Sequence, residues 1–554
     1  ARGARHCTLE ECEVAHVGGY GIWFEQGCQD DLISQCEVHD LGGGGIKVGE
    51  AVSRDDDRIL TQRITVDNCF IHDGGHVFPA GVGVWIGRNS YNRITHNEIC
   101  DFFYTGVSVG WSWGYAPTSA HDNLVEWNHI HHIGMGVLSD MGGIYTLGQS
   151  PGTRLAHNLI HDIYHYKFGA AAIYPDEGSS DILIENNLCY DTSTGGFSQH
   201  YGRDNLVRNN IFAFGANGDV RVARVEEHHS VDFYRNIVYS DDGILVGANW
   251  VRAKLKSDYN CWWDTLLREE ADFDGWSLME RREQGYDEHS IVADPGFVAP
   301  ERRDFRLKPD SPALQVGFKP FDLSGTGLYG NPAWVAKPRQ VKRPPVKLPP
   351  PPSPSPPLTS FSDDFEDTPV GQKPKLADMS ASFEAGASIL VSDETAAGGK
   401  HSLKFTDAPG QENTWQPHMR YLPRISRGTV RLSFDVLLKM DAILAVEWRD
   451  WRSTPYVVGP SLRLGAGGQF TANGVVVTEV PTDQWIHVEV VCPVGQGAEP
   501  AYSLTVSVPG RDPVKIDKVP LQTERLRQLN WVGFISDADV ATAIYVDNVR
   551  LAVE

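Results

Sequence analysis

Residues 123–204 concentrate the side chains able to do chemistry: the acids Asp140, Asp176 and Glu177 and the histidines His165 and His200 all fall there. Such a set suits general acid–base work. A carboxyl kept protonated can donate to a leaving oxygen, while an ionised partner attacks or activates water. Hydrolysis of a glycosidic bond uses two carboxylates in this way. A neighbouring carboxylate raises the acid's pKa, and a nearby histidine can hold either group in place. Asp in Ser-Asp-Met-Gly or Asp-Glu-Gly would also suit a turn cap. The coincidence of these acids with His165, His200, Tyr145 and Tyr174 in adjacent units favours a site.

The elements that must position them repeat. Three successive units open with NLVEWNHI, TRLAHNLI and DILIENNL and continue into GGIYTLG, AAIYPDEG and GGFSQHYG. The same corner position recurs at Cys12, Cys36, Cys69, Asn97, Asn128, Asn158, Asn187, Asn210, Asn236 and Asn260, about 23 to 33 residues apart. Short strands at this period predict a solenoid, here a right-handed parallel β-helix. The apolar neighbours of Asn point inward, and the Asn side chains pair along the axis. Aligning Ile144, Ile173 and Phe197 puts Leu147, Asp176 and His200 in one register. Adjacent coils lie about 4.8 Å apart, so Asp176 and His200 are expected as neighbours, with Asp140 facing the same groove from one coil earlier.

The rest of the chain divides by composition. Residues 1–261 read as the β-helix, and the chain opens inside a repeat, so N-terminal coils and a signal peptide are expected to have preceded it. Residues 262–335 read as a helical insert with closing strands that cap the last coil. Residues 336–360 hold ten prolines and read as an extended linker. Residues 361–554 alternate apolar and polar and predict an antiparallel β-sandwich of jelly-roll type, carbohydrate-binding or laminin-G-like. The whole is expected to be all-β. Asp364 in SDDFED and Asp547 in YVDNVRL lie at strand ends that such a sandwich brings together, and are candidates for a structural Ca²⁺. No cofactor is expected for catalysis.

A net charge of −23 argues against a nucleic-acid partner. No apolar run reaches the ~18 residues of a membrane span. The composition suits a secreted protein handling sugars. The nine cysteines, an odd number placed in the repeat register, read as mostly reduced core thiols. Trp85, Trp111 and Trp113, in or beside longer loops, are candidates for stacking on sugar rings. His39, His72, His131, His132 and His161 recur at the repeat turn and read as structural. A metal centre at His129, His131 and His132 is disfavoured, because successive strand residues face opposite ways and no zinc-type pattern appears.

The run NHIHHIGMGVLSDMGGIYTLGQSPGT, followed by IYHYKFGAAAIYPDEGSSDILIENNLCYDTSTGGFSQHYGRDNLVRNNIFAFG, resembles right-handed parallel β-helix glycoside hydrolases, most closely glycoside hydrolase family 141. HSIVADPGFV and DFRLKPDSPAL resemble that family's closing segment. The resemblance covers residues 5–335 and is specific around 123–215. It implies α-L-fucosidase activity on pectic side chains, or xylanase activity, by a pair of aspartates. By motif these are Asp140 in SDMGGIY and Asp176 in the DEG turn, in unassigned order. Typical members read Gly-Phe-His-Gln-His where this chain has Ser198 in GFSQHYG. The expected function is therefore hydrolysis of plant or algal polysaccharide. The rival readings are a polysaccharide lyase, which would need a Lys or Arg base of which this stretch holds few (Arg154, Lys167, Arg203), and a non-catalytic carbohydrate-binding or surface protein.

Overall fold

A computed structural model describes residues 1–268, 271–343, 346, 358–381, 385–452, 456–495, 497–522 and 526–554. The chain divides into two compact units, 1–351 and 352–554. Most of the proline-rich stretch expected as a linker lies outside the described residues.

The first unit is a parallel β-helix. Each coil contributes a strand to a ten-stranded, an eleven-stranded and a nine-stranded sheet. The corner between the first two sheets explains why the repeat is so regular. The residue before each Asn is left-handed, as at His96 (φ 55), Trp127 (φ 60) and His157 (φ 54). For non-glycine residues that conformation costs roughly 1–2 kcal/mol. The buried Asn that follows offsets it. Asn158 Oδ1 accepts from the backbone N–H and the Nδ2 of Asn128, both at 3.1 Å. Its Nδ2 donates to Val125 O at 2.9 Å and to Asn187 Oδ1 at 3.0 Å. The ladder runs without a break from Asn97 to Asn260. At ~0.5–1.5 kcal/mol net per hydrogen bond, four bonds outweigh one strained turn residue. The nine cysteines are free thiols, seven of them buried.

Five strands of the nine-stranded sheet carry the site: β1 (Val107–Val109), β2 (Met141–Thr146), β3 (Ala170–Pro175), β4 (Gly195–Gln199) and β5 (Val220–Val222). In register, Val107, Ile144, Ile173, Phe197 and Val220 stack inward as buried core. The alternate positions, Ser108, Tyr145, Tyr174, Ser198 and Arg221, form a column on the outer face.

The C-terminal part of this unit departs from the sequence expectation. The short helix Leu278–Glu283, closed by a Ser277–Glu280 capping box, and the strand Ile291–Val292 follow the last coil. The antiparallel pair Phe297–Ala299 and Asp304–Leu307, expected to cap that coil, instead packs with Ile211, Tyr239 and Cys261 on the outside of the eleven-stranded sheet. From there the chain runs back along the solenoid. Lys319 N–H donates to Asn209 at 2.7 Å, Gly327 N–H to Trp127 O at 2.8 Å and Tyr329 N–H to Asn68 at 3.0 Å. Residues 337–343, read as the opening of the linker, continue this strap: Lys337 pairs with Glu37 and Arg343 with Asp101. The non-repeating strap satisfies a sheet face whose outer residues are aromatic and charged rather than uniformly polar.

The second unit is an antiparallel sandwich of an eight-stranded and a seven-stranded sheet. Long strands such as Gly428–Leu438 and Trp485–Val494 alternate buried and accessible residues, and Phe405, Phe434, Trp448 and Phe534 fill the space between the sheets. Among the described residues no helix is long and apolar enough to cross a membrane.

Candidate active site

The outer column of β2 and β3 brings two carboxylates together through two tyrosines. Tyr145 on β2 donates its hydroxyl to Asp176 Oδ2. Tyr174, its register partner on β3, donates to Asp140 Oδ1 at 3.0 Å. The two rings meet edge to face, 5.4 Å between centroids. Asp176 follows directly on β3 and is buried. Asp140 precedes β2 in a left-handed conformation (φ 62), its N–H bonded to Phe168 O at 3.1 Å. Gly169, itself left-handed, packs so closely there that a Cβ would lie 3.2 Å from the Asp140 Cα. That close approach fixes where Asp140 points.

The electrostatics of the two acids differ in kind. Burial, and after it the charge of Asp176, pushes the Asp140 carboxyl above its usual range, with the Tyr174 hydroxyl acting against them. Asp176 is surrounded by donors: Tyr145 on one oxygen and His200 Nδ1 on the other at 2.9 Å. That contact raises the His200 imidazole above its ordinary value. The phenols of Tyr104, Tyr145 and Tyr174 are all pushed up, by burial first and then by the two aspartates. Asp140 is thus biased toward its protonated form beside Asp176, whose two oxygens face the Tyr145 hydroxyl and His200 Nδ1.

The remaining sequence candidates divide. His200 lies beside Asp176, as the alignment of the third-sheet strands requires. Glu177 is at the rim, 4.0 Å from His200 and accepting from the Tyr201 hydroxyl at 2.9 Å. Trp111 packs against the Tyr145, Leu147 and Tyr174 cluster and donates to Ser108 Oγ at 2.8 Å. Trp113 meets it edge to face and is 56% exposed. His165 is set apart: its backbone N–H goes to Ser193, burial lowers its pKa, and no hydrogen bond or ion pair joins it to the acids among the described residues. It lies on the loop before β3, outside the strand register, so its sequence proximity did not translate into contact.

Sequence reasoning missed Tyr104 and Tyr201, and, in an aromatic cleft further along the same column, it singled out Trp85 and Trp111 but not Tyr20, Trp23 or Lys47. Trp23, Lys47 and Trp85 are register partners leading to Ser108 and Tyr145. Lys47 Nζ lies 4.3 Å from the Trp23 ring centroid and 4.8 Å from that of Trp85. The cleft, of about 450 Å³, also takes in Tyr20 and Trp111. The signal was present in the sequence, since these residues occupy the position of Tyr145 in earlier coils.

In the second unit the oxygens of Asp547 accept the N–H groups of Ala397, Gly398 and Asn548, and Asp364 accepts that of Glu366. On the eleven-stranded sheet, His129 and His131 are two residues apart and so share the outer face, with Glu98 of the preceding coil between them. Only His132, left-handed at φ 52, leaves the register. The expectation that alternation would scatter these histidines was wrong. His131 stacks on His161, and His161 on Tyr190, in a column along this face.

A right-handed beta helix region is matched over residues 1–174. The uncharacterized protein YwoF of Bacillus subtilis (strain 168) is 30% identical over 196 residues, which span 27% of this chain and 42% of that protein. The chain therefore matches less than half the length of that relative. Among solved structures, a glycoside hydrolase is 25% identical with a TM-score of 0.31, covering 40% of this chain and 36% of its own. An endo-β-1,4-glucuronan lyase from the fungus Trichoderma reesei is 11% identical with a TM-score of 0.23, covering 35% of this chain and 95% of its own.

Proposed function

We propose that this chain is a carbohydrate-active enzyme that hydrolyses glycosidic bonds, with Asp140 as the acid and Asp176 as the nucleophile or base. One observation carries the reading: two carboxylates on one solenoid face, each held by a tyrosine hydroxyl from adjacent strands, with burial and Asp176 favouring the protonated form of Asp140. An acid that stays protonated can donate to the leaving glycosidic oxygen, while a carboxylate held by His200 and Tyr145 attacks or activates water. The column from Tyr145 toward Trp85 and Trp23 supplies flat apolar rings for further sugar units, which suits a polymer better than a monosaccharide. Such a substrate would be met outside the cytoplasm. The resemblance of the 123–215 stretch to family 141 favours fucosylated pectic fragments and xylans.

The test is an oligosaccharide panel containing both, run with wild type, Asp140→Asn and Asp176→Asn. The expected result is new reducing ends with the wild type, reduced at least about 10³-fold in either variant. Unsaturated uronate ends would replace this reading with a lyase. Absence of any product would leave a binding protein.

A further inference from the structure

We propose that Glu98, His129 and His131 form a divalent transition-metal site, of the kind Zn²⁺ takes, on the outer face of the eleven-stranded sheet. This face is separate from the carboxylate groove of the nine-stranded sheet. One donor atom from each of the three side chains lies within 4.8 Å of the others. The edges of a tetrahedron around Zn²⁺ with ~2.1 Å bonds measure roughly 3.4 Å, so side-chain shifts of about 1 Å close the set. Two histidines and one glutamate leave one coordination position open, and the three donors line a cavity of about 220 Å³ with Leu328, Pro338, Arg339 and Arg343 of the strap, the Arg343 guanidinium being paired with Asp101. The Glu98 and His131 side chains are 9% and 6% exposed and that of His129 24%, so the set is largely buried with His129 at its open side rather than a scatter of surface acids.

The ring nitrogens are backed by further side chains. His129 Nδ1 lies 2.9 Å from Glu98 Oε2 and its Nε2 lies 2.8 Å from His161 Nε2, while His161 Nδ1 lies 2.7 Å from Asp162 Oδ2. His131 Nε2 lies 2.9 Å from Glu98 Oε1 and its Nδ1 lies 2.8 Å from His132 Nδ1. A ligating histidine whose other ring nitrogen is held by a second side chain is the usual outer support of such sites.

The full chain would be stripped with a chelator, dialysed and titrated with Zn²⁺ by calorimetry, and loaded in parallel with Co²⁺ for its visible spectrum. One equivalent per chain with submicromolar affinity and a tetrahedral Co²⁺ spectrum are expected. Glu98→Gln and His131→Asn should each weaken binding at least about 100-fold. His161→Asn, which acts through His129, should weaken it about 10- to 100-fold while keeping one equivalent. Circular dichroism would establish that each variant is folded, and His129→Gln stands in for any that is not. Substoichiometric or only millimolar binding by the folded wild type would overturn the site. So would unchanged binding in folded Glu98→Gln. Loss of hydrolysis in Asp140→Asn has no bearing on this outcome.

Discussion

The Tyr174 hydroxyl is the lever on the proposed acid. It donates to Asp140 Oδ1 at 3.0 Å and so favours the ionised carboxylate, against burial and the charge of Asp176. Removing it in Tyr174→Phe leaves burial and the charges of Asp176 and Glu177 opposed only by that of His200. A hydrogen bond to a charged group is worth about 1.5–3 kcal/mol, against about 0.5–1.5 for a neutral one. The carboxylate therefore loses roughly 1–1.5 kcal/mol more than the carboxyl does. At 1.36 kcal/mol per pH unit, the Asp140 pKa should rise by about one unit. If Asp140 must be protonated to act, the alkaline limb of kcat/KM reports it in the free enzyme. The substrate found in the panel would be followed across pH with wild type and Tyr174→Phe. The limb should move up by about one unit, so that at high pH the variant loses less of its own maximal rate than wild type does. The ¹³C carboxyl signal that disappears in Asp140→Asn should titrate with the same displacement. A limb that stays in place or moves down while the rate falls would refute the assignment of Asp140 as the acid.

Three further outcomes follow from the same contacts. Because the Asp140 pKa is raised above 3.8 in the folded protein, stability falls as pH climbs from 3.8 through the folded value, and the penalty is complete above it. Asp140→Asn should therefore raise the melting temperature at pH 7 and have little effect at pH 3.5; a lower melting temperature at pH 7 would contradict this. The Asp176 contact raises His200 above 6.5, so its stabilisation is full below 6.5 and is lost as pH rises through the folded value. His200→Ala should cost more at pH 6 than at pH 9 in thermal melts, and an equal cost at both would show that the pair contributes only packing. Asn158→Ala takes the side-chain partner from the N–H of Asn128 and from the Val125 carbonyl, whereas Asn128 Nδ2 keeps Ile94 O and Glu126 O and Asn187 Oδ1 keeps the N–H of residue 158. At about 1–3 kcal/mol for each unsatisfied buried group, urea unfolding should show a loss of at least about 2 kcal/mol, and a loss under about 1 would mean that water or rearrangement repairs the ladder.

What the sequence made legible was everything that repeats. A solenoid coil must place each corner Asn over the next, so the ladder and the inward stack of Ile144, Ile173 and Phe197 follow from spacing alone. The same alignment places His200 beside Asp176, 2.9 Å from its Oδ1 in the structure. What stayed hidden depends on chain outside the repeat. Asp140 reaches Tyr174 because a left-handed residue and Gly169 aim it there, and no register predicts that. His165 lies on an equally irregular loop and makes no hydrogen bond or ion pair with the acids among the described residues. The strap is non-repetitive, so neither its path from Lys319 to Arg343 nor the cavity it closes over His129 and His131 could be read from periodicity. The period-two rule itself was sound, but it was applied to three histidines at once. Residues two apart share a face, and only the left-handed His132 breaks step. In this fold the repeat supplies positions at fixed intervals, and the departures from it decide which positions meet. Chemistry is therefore to be sought where an irregular loop or a returning segment meets the repeat, and both the Asp140 groove and the Glu98 cluster lie at such places.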